Sequence, residues 1–299
     1  MPEFNPVLVK ELRSRMRGPR AFLLLTIYLT ILSLVALLLY AALAVNTGPD
    51  LNAGQRIGKG LFLVIAVVAL IEVCVITPAL TASSIAGEKE RQTYDLLVSS
   101  LLSPWQIVLG KLASALAFGL LMVLAVVPLM SLAFLFGGVS LAEILIALVG
   151  LVITAVFYAA VGLFWSSIMG STLGATSFSL GSIILMLGGI PFLAGIFTLI
   201  FGRGSSDWMR SAAFIYLGGA FISTDPFIAL GATELLITTG ENPFFSIIDP
   251  RGANILIPSP WLAYVVLALL ISTILIMISV HRLRPTEQRR PRRPSGQDE

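Results

Sequence analysis

Charge is what this sequence lacks most. Only 12% of its 299 residues are Asp, Glu, Lys or Arg, about half of what a soluble domain uses to wet its surface. Cysteine and histidine are almost absent, with one of each. The lone Cys74 excludes an internal disulfide, and the lone His281 cannot assemble a metal site. No Cys, His, Asp and Glu residues stand at ligand spacing, so no metal is expected. Cys74 should pack inside a membrane span and His281 should sit wet where a span ends. What is present is apolar: 57% of residues are hydrophobic and the mean hydropathy is +0.96. This composition defines an all-α integral membrane protein.

A helical span needs about 20 apolar residues. Counting uncharged runs predicts six spans, near 21–45, 61–86, 112–136, 144–166, 172–201 and 261–280. Glu72 alone interrupts the second. The small, polar cluster from Ser166 to Thr172 divides a long uncharged stretch into the fourth and fifth. One membrane domain is expected over 1–285, followed by a disordered basic tail at 286–299, where Arg289, Arg290, Arg292 and Arg293 interleave with proline. That tail suits an anionic membrane surface. It lacks the aromatic interleaving of a nucleic-acid binder.

Lys and Arg set the orientation. With both termini cytoplasmic, fourteen basic residues lie inside and five outside. A seventh span would put the Arg-rich tail outside. The apolar stretches 211–224 and 226–239 are each too short to cross, so re-entrant or interfacial helices are expected before the last span. Ala42-Leu43-Ala44 resembles a cleavage site, but the apolar core before it is too long for a signal peptide, and no cleavage is expected.

Three helix starts share a capping side chain followed by proline. Asn5-Pro6 opens a helix with Val7, Leu8, Leu12 and Met16 mostly on one side. Lys10, Arg13, Ser14 and Arg17 lie mostly elsewhere, as suits an interfacial helix. Ser103-Pro104-Trp105-Gln106 reads as a capping box that starts the third span. Ser259-Pro260-Trp261 repeats the arrangement for the last.

Between the second and third spans lies the connector 87–111. Glu88–Ser100 reads as a short amphipathic helix, with Arg91 and Asp95 at i,i+4 and an apolar stripe of Tyr94, Leu97 and Leu101. A stiff helix joined tightly to two spans can transmit a push to both.

The residues of this region carry a resemblance. Pro78, Ile85-Ala86, Glu88-Lys89-Glu90-Arg91, Thr93, Leu96-Leu97, Ser103-Pro104 and Gly110-Lys111 follow in an order that resembles the permease subunits of ABC-2 type ATP-driven transporters. The opening Asn5-Pro6…Lys10-Glu11 looks like that family's N-terminal connecting helix, to which Glu11, Lys10, Arg13 and Arg17 would belong. Gln92 departs from the pattern, since members often carry Gly before the Thr. The match covers residues 5–20 and 78–112.

The resemblance implies a permease subunit that exports a substrate on ATP hydrolysed by a separate subunit. It implies two six-span subunits, the second a copy or a paralogue, above two cytoplasmic ABC ATPase subunits. ATP and Mg would sit on the ATPase, with no cofactor and no catalytic residue on this chain. Glu88, Glu90, Arg91, Thr93, Tyr94, Leu97, Ser103 and Pro104 would couple to the ATPase. The setting would be the plasma (inner) membrane of a prokaryote.

Rival readings also stand. Glu72, costly at mid-membrane, is either a contact for substrate or protons on a translocation path or a neutral carboxyl bonded to a neighbouring helix. In the first case a proton-coupled secondary transporter is the alternative, though no inverted repeat supports it. A membrane anchor that only recruits an ATPase is another. No His-Glu-xx-His, paired aspartates or Ser/His pair suggests an intramembrane enzyme. Gly54–Gly60 resembles a P-loop but has Ala53 and Gly60 where Gly and Ser/Thr are needed. Gly170, Gly174, Gly181 and Gly188-Gly189 suggest close helix packing, expected within the subunit.

Overall fold

The computed structural model describes residues 11, 19–46, 52–94, 102–201, 211–248 and 255–283. Among these residues six helices are long and apolar enough to cross a membrane: α1 (Pro19–Asn46), α2 (Ala53–Glu90), α3 (Pro104–Phe136), α4 (Leu141–Ile168), α5 (Thr172–Phe201) and α8 (Pro260–Leu283). Between α5 and α8 come α6 (Ala212–Ile222), α7 (Pro226–Thr238) and an antiparallel pair of strands, β1 (Phe245–Ile248) and β2 (Ile255–Pro258). The chain is an all-α integral membrane protein apart from this small hairpin.

The helices run up and down, so one end of the bundle gathers residues 87–94 and 102–104 and the other gathers α6, α7 and the hairpin. α2 and α4 form its centre. Along their contact Gly162 lies against Pro78 and Thr81. A Cβ at Gly162 would stand 2.6 Å from the Pro78 carbonyl oxygen and 3.0 Å from its Cα, which is why glycine is required there. Tyr28, Phe62, Met122, Phe157 and Tyr158 fill the same core. Cys74 is buried in it, and His281 is exposed in the last turn of α8.

At 38 residues α2 is the longest helix. It spans about 57 Å, well beyond the roughly 30 Å of a hydrocarbon core. Its first turns contain Gly54–Gly60, so the P-loop-like string is helical. Gly58 packs against the carbonyls of Gly137 and Ala133, the latter 2.7 Å from where a Cβ would sit. These glycines serve helix packing, not phosphate.

The stretch before the last span is a helix pair bent by 115°. Asp225 makes the corner: its Oδ1 accepts from the amides of Phe227 at 2.8 Å and Ile228 at 3.3 Å, and Pro226 follows as the first helical residue. Neither helix alone is long enough to cross. Lys59 on α2 ties this pair to the bundle through Glu234 on α7 and through Glu143 on α4, at 2.8 Å. Tyr264 and Thr154 hydroxyls meet at 2.8 Å and join α8 to α4.

The hairpin was not expected. Its signal was present, since β-branched residues flank Asp249-Pro250-Arg251-Gly252, a turn-type composition. In a chain this apolar, hydropathy masked it. The glycines in and just before α5 also differ from expectation. A Cβ on Gly170, Gly181 or Gly188 would meet nothing within 4 Å, while those on Gly174 and Gly189 would meet only the nearby Ser171 and Leu185 side chains. Among the described residues none of the five packs against another helix, and large side chains around them, such as Ile184 and Leu185, are exposed.

Candidate functional site

The site is built where α2 ends. Helix-forming Glu88, Lys89 and Glu90 do not start a separate connector helix, as the sequence reading had it; they prolong α2 beyond its apolar run. The helix then stops in a Schellman motif. The Thr93 amide donates to Glu88 O at 2.9 Å and the Gln92 amide to Lys89 O at 3.1 Å. Gln92 takes φ +59°, a left-handed value that no other non-glycine residue adopts among those described. Arg91 is the C-cap of this helix, and its expected pairing with Asp95 involves a residue outside those described. Asp95, Leu97 and Leu101 lie outside the described residues, as do Lys10, Arg13 and Arg17.

Gln92 stands where the pattern discussed above favours Gly, and the backbone gives the reason. A side chain in that conformation costs about 1 kcal/mol. Gln92→Gly is therefore expected to raise stability by about 0.5–1 kcal/mol, read as a higher unfolding midpoint in detergent. An unchanged or lower midpoint would show the turn is unstrained.

Three successive charges at this end each reach a different helix. Glu88 Oε1 meets Lys111 Nζ of α3 at 3.0 Å. Lys89 Nζ donates to Ser167 O at 2.6 Å and Met169 O at 3.2 Å, at the C-terminus of α4, where the helix dipole favours a cation. Glu90 Oε2 accepts from the Thr172 amide at 2.9 Å and its hydroxyl at 2.6 Å, at the N-terminus of α5, where the dipole favours an anion. The last turn of α2 thus holds together the ends of α3, α4 and α5.

Lys111 is the centre of this hub and is 1% exposed. Its ammonium has three donors, and all are used: Glu88 at 3.0 Å, Ser84 O at 2.9 Å and Glu11 at 3.0 Å. Glu11 therefore reaches the hub, the one expected interfacial-helix site residue that is described. In the sequence Lys111 stands out only as part of the Gly110-Lys111 pair. Its partners lie 23, 27 and 100 residues away, so the cluster could not be seen from the sequence.

Tyr94 lies under Lys89 Nζ, 5.6 Å from its ring centre. The expected capping box forms, with the Ser103 amide donating to Gln106 Oε1 at 2.9 Å and the Gln106 amide to Ser103 Oγ at 3.3 Å; Pro104 is the first helical residue. Arg91 and Thr93 remain exposed on the surface of this end. Glu72 lies far from it, half-buried within α2; its Oε2 is enclosed and makes no hydrogen bond among the described residues.

Six apolar helices, a bent pair at one end and a charged hub at the other, among the described residues, define a multi-pass membrane protein. Residues 6–253 match the model of the ABC-2 family transporter protein, and the chain belongs to that family. It is a permease component of an ABC transporter, a family whose membrane chains generally work with an ATPase partner. No curated protein matches the sequence.

Proposed function

We propose that the chain is the membrane subunit of an ATP-driven exporter whose connector, 87–111, takes up the motion of a separate ABC ATPase. The observation that carries this reading is the hub. A displacement of the last turn of α2 is passed at once to α3 through Lys111, to α4 through Lys89 and to α5 through Glu90. The roles of the coupling residues then divide. Glu88, Glu90, Tyr94, Ser103 and Pro104 shape and brace the connector, while Arg91 and Thr93 face the ATPase, with Leu97. ATP and Mg belong to that partner. The charge distribution supports a reading in which this end and both termini are cytoplasmic, with residues 1–285 as one membrane domain and the basic tail of 286–299 on anionic lipid; the resemblance to the ABC-2 permeases supports the inner membrane of a prokaryote as the setting.

A second permease chain, copy or paralogue, is proposed along α5. Gly181 and Gly188 are seven residues apart with open space beside them, and glycine lets membrane helices approach closely. Glu72 is proposed as a polar contact on the translocation path. Glu72→Gln should alter substrate range or export, and unchanged export of every substrate would end that role.

Co-purification tests the main reading. The tagged chain should retain a cytoplasmic ABC ATPase in mild detergent, and native mass spectrometry should show two permease chains, identical or paralogous, with two ATPase chains. Arg91→Glu should weaken retention about tenfold through charge reversal at the contact. An assembly with one permease chain would overturn the pairing. Full retention in the variant would remove Arg91 from the contact.

A further inference from the structure

One turn before the hub, α2 is not an ordinary helix. Pro78 removes an amide from the helical ladder, leaving the Cys74 carbonyl without its usual donor. Over the next turns hydroxyls bond back onto the main chain. Thr81 Oγ1 donates to Pro78 O at 3.1 Å and Thr77 O at 3.2 Å, and Ser84 Oγ donates to Thr81 O at 2.7 Å. In a regular helix Thr81 O would receive the Ile85 amide. Here the amides of both Ile85 and Ala86 donate to Ser166 Oγ of α4, each at 2.9 Å. Ser166, Ile85 and Ala86 are all fully buried.

A side chain inserted into the helical ladder, together with a proline, is a recognised cause of a bend. Both act on the same short stretch here. α4 brings Gly162 and Ser166, one turn apart and so on one face, against residues 78–86. Gly162 brings α4 close to Pro78, and Ser166 clasps the main chain just before Gly87, where the charged turn begins.

From this geometry we infer that Pro78–Ala86 is a hinge in α2 and that Ser166 is its positioning residue, holding the hinge in one setting until the connector moves. The inference rests on the coupling role of the connector. The Ser166 hydroxyl accepts from two successive amides of α2, so releasing it leaves Ile85 and Ala86 held by their own helix alone. That release frees Glu88, Lys89 and Glu90 to re-aim relative to the membrane part of α2. Clasped and released settings give a two-state element, which a nucleotide-driven push can bias.

Amide hydrogen exchange on the permease–ATPase complex in lipid nanodiscs tests the hinge, with and without ATP and vanadate. The result expected is a nucleotide-dependent change at 87–94 accompanied by a change of about tenfold at 79–86, with 60–74 unaltered. Ser166→Ala should raise exchange at 85–86 before nucleotide is added and abolish most of the response there. Pro78→Ala, which favours a regular helix and leaves the Gly162 contact in place, should flatten the response at 79–86 while keeping that at 87–94. It carries the test if Ser166→Ala misfolds. A response at 87–94 with none at 79–86 in the unaltered complex overturns the hinge and leaves coupling standing. No response at either stretch overturns the coupling role, and the hinge with it. Unchanged exchange at 85–86 in Ser166→Ala removes Ser166.

Discussion

Lys111→Met should cost the protein about 3–5 kcal/mol of stability. The ammonium is 1% exposed and bonds to two carboxylates and a main-chain carbonyl. Taking it out of water is expensive, and the pair with Glu88 is not itself strong evidence for stability. Removing the lysine alone is the damaging change. It leaves Glu11 and Glu88 close together without a cation and strips Ser84 O of a donor. Methionine keeps the volume, so the loss reports the charge rather than a cavity. The measurement is an unfolding midpoint in detergent. Replacing Glu11 and Glu88 by Gln in the same background should recover part of the loss, because the uncompensated charges are gone. A drop below about 1 kcal/mol would mean that water reaches the cluster freely.

Gly162→Val should be as severe for a different reason. The obstruction is main chain: a Cβ would lie 2.6 Å from Pro78 O and 3.0 Å from Pro78 Cα. A flexible side chain could swing away, but a helix backbone cannot, so α2 and α4 must separate along the centre of the bundle. Overpacking commonly costs 1–3 kcal/mol, and a backbone clash between two central helices belongs at or above the upper end. Expression as an aggregated or protease-sensitive chain is the expected result. Gly231→Ala on α7 is the matched control, since a Cβ there meets nothing within 4 Å, and it should be neutral or slightly stabilising. If both variants behave alike, the α2–α4 contact is looser than described.

How much of this was legible in the sequence depends on how local each signal is. The spans were, because twenty apolar residues in a row have one economical fate. The Ser103 capping box was, because its partners are three residues apart. The bend at Asp225-Pro226 was visible as a break, though not its angle. The reach of α2 beyond Ala86 was missed: propensity marked Glu88–Arg91 as helical, but nothing local said that they continue the preceding helix and stop at Gln92. The ion clusters were hidden for a plainer reason. Lys59 meets Glu143 from 84 residues away, and Lys111 meets Glu11 from 100. Ser166 was seen only as part of a polar break between spans, yet its hydroxyl contacts two amides of another helix. Such pairings follow from helix order and depth, which only the folded bundle supplies.

The central claim is that the connector end receives an ATPase. A photo-crosslinking residue placed at Arg91 or at Thr93, both exposed, tests this most directly, with Gln55 at the opposite end of α2 as the comparison. The account predicts an adduct with an ABC ATPase subunit from the two connector positions, changed in yield by ATP, and none from Gln55. No ATPase adduct from Arg91 and Thr93, or an equal one from Gln55, would contradict it.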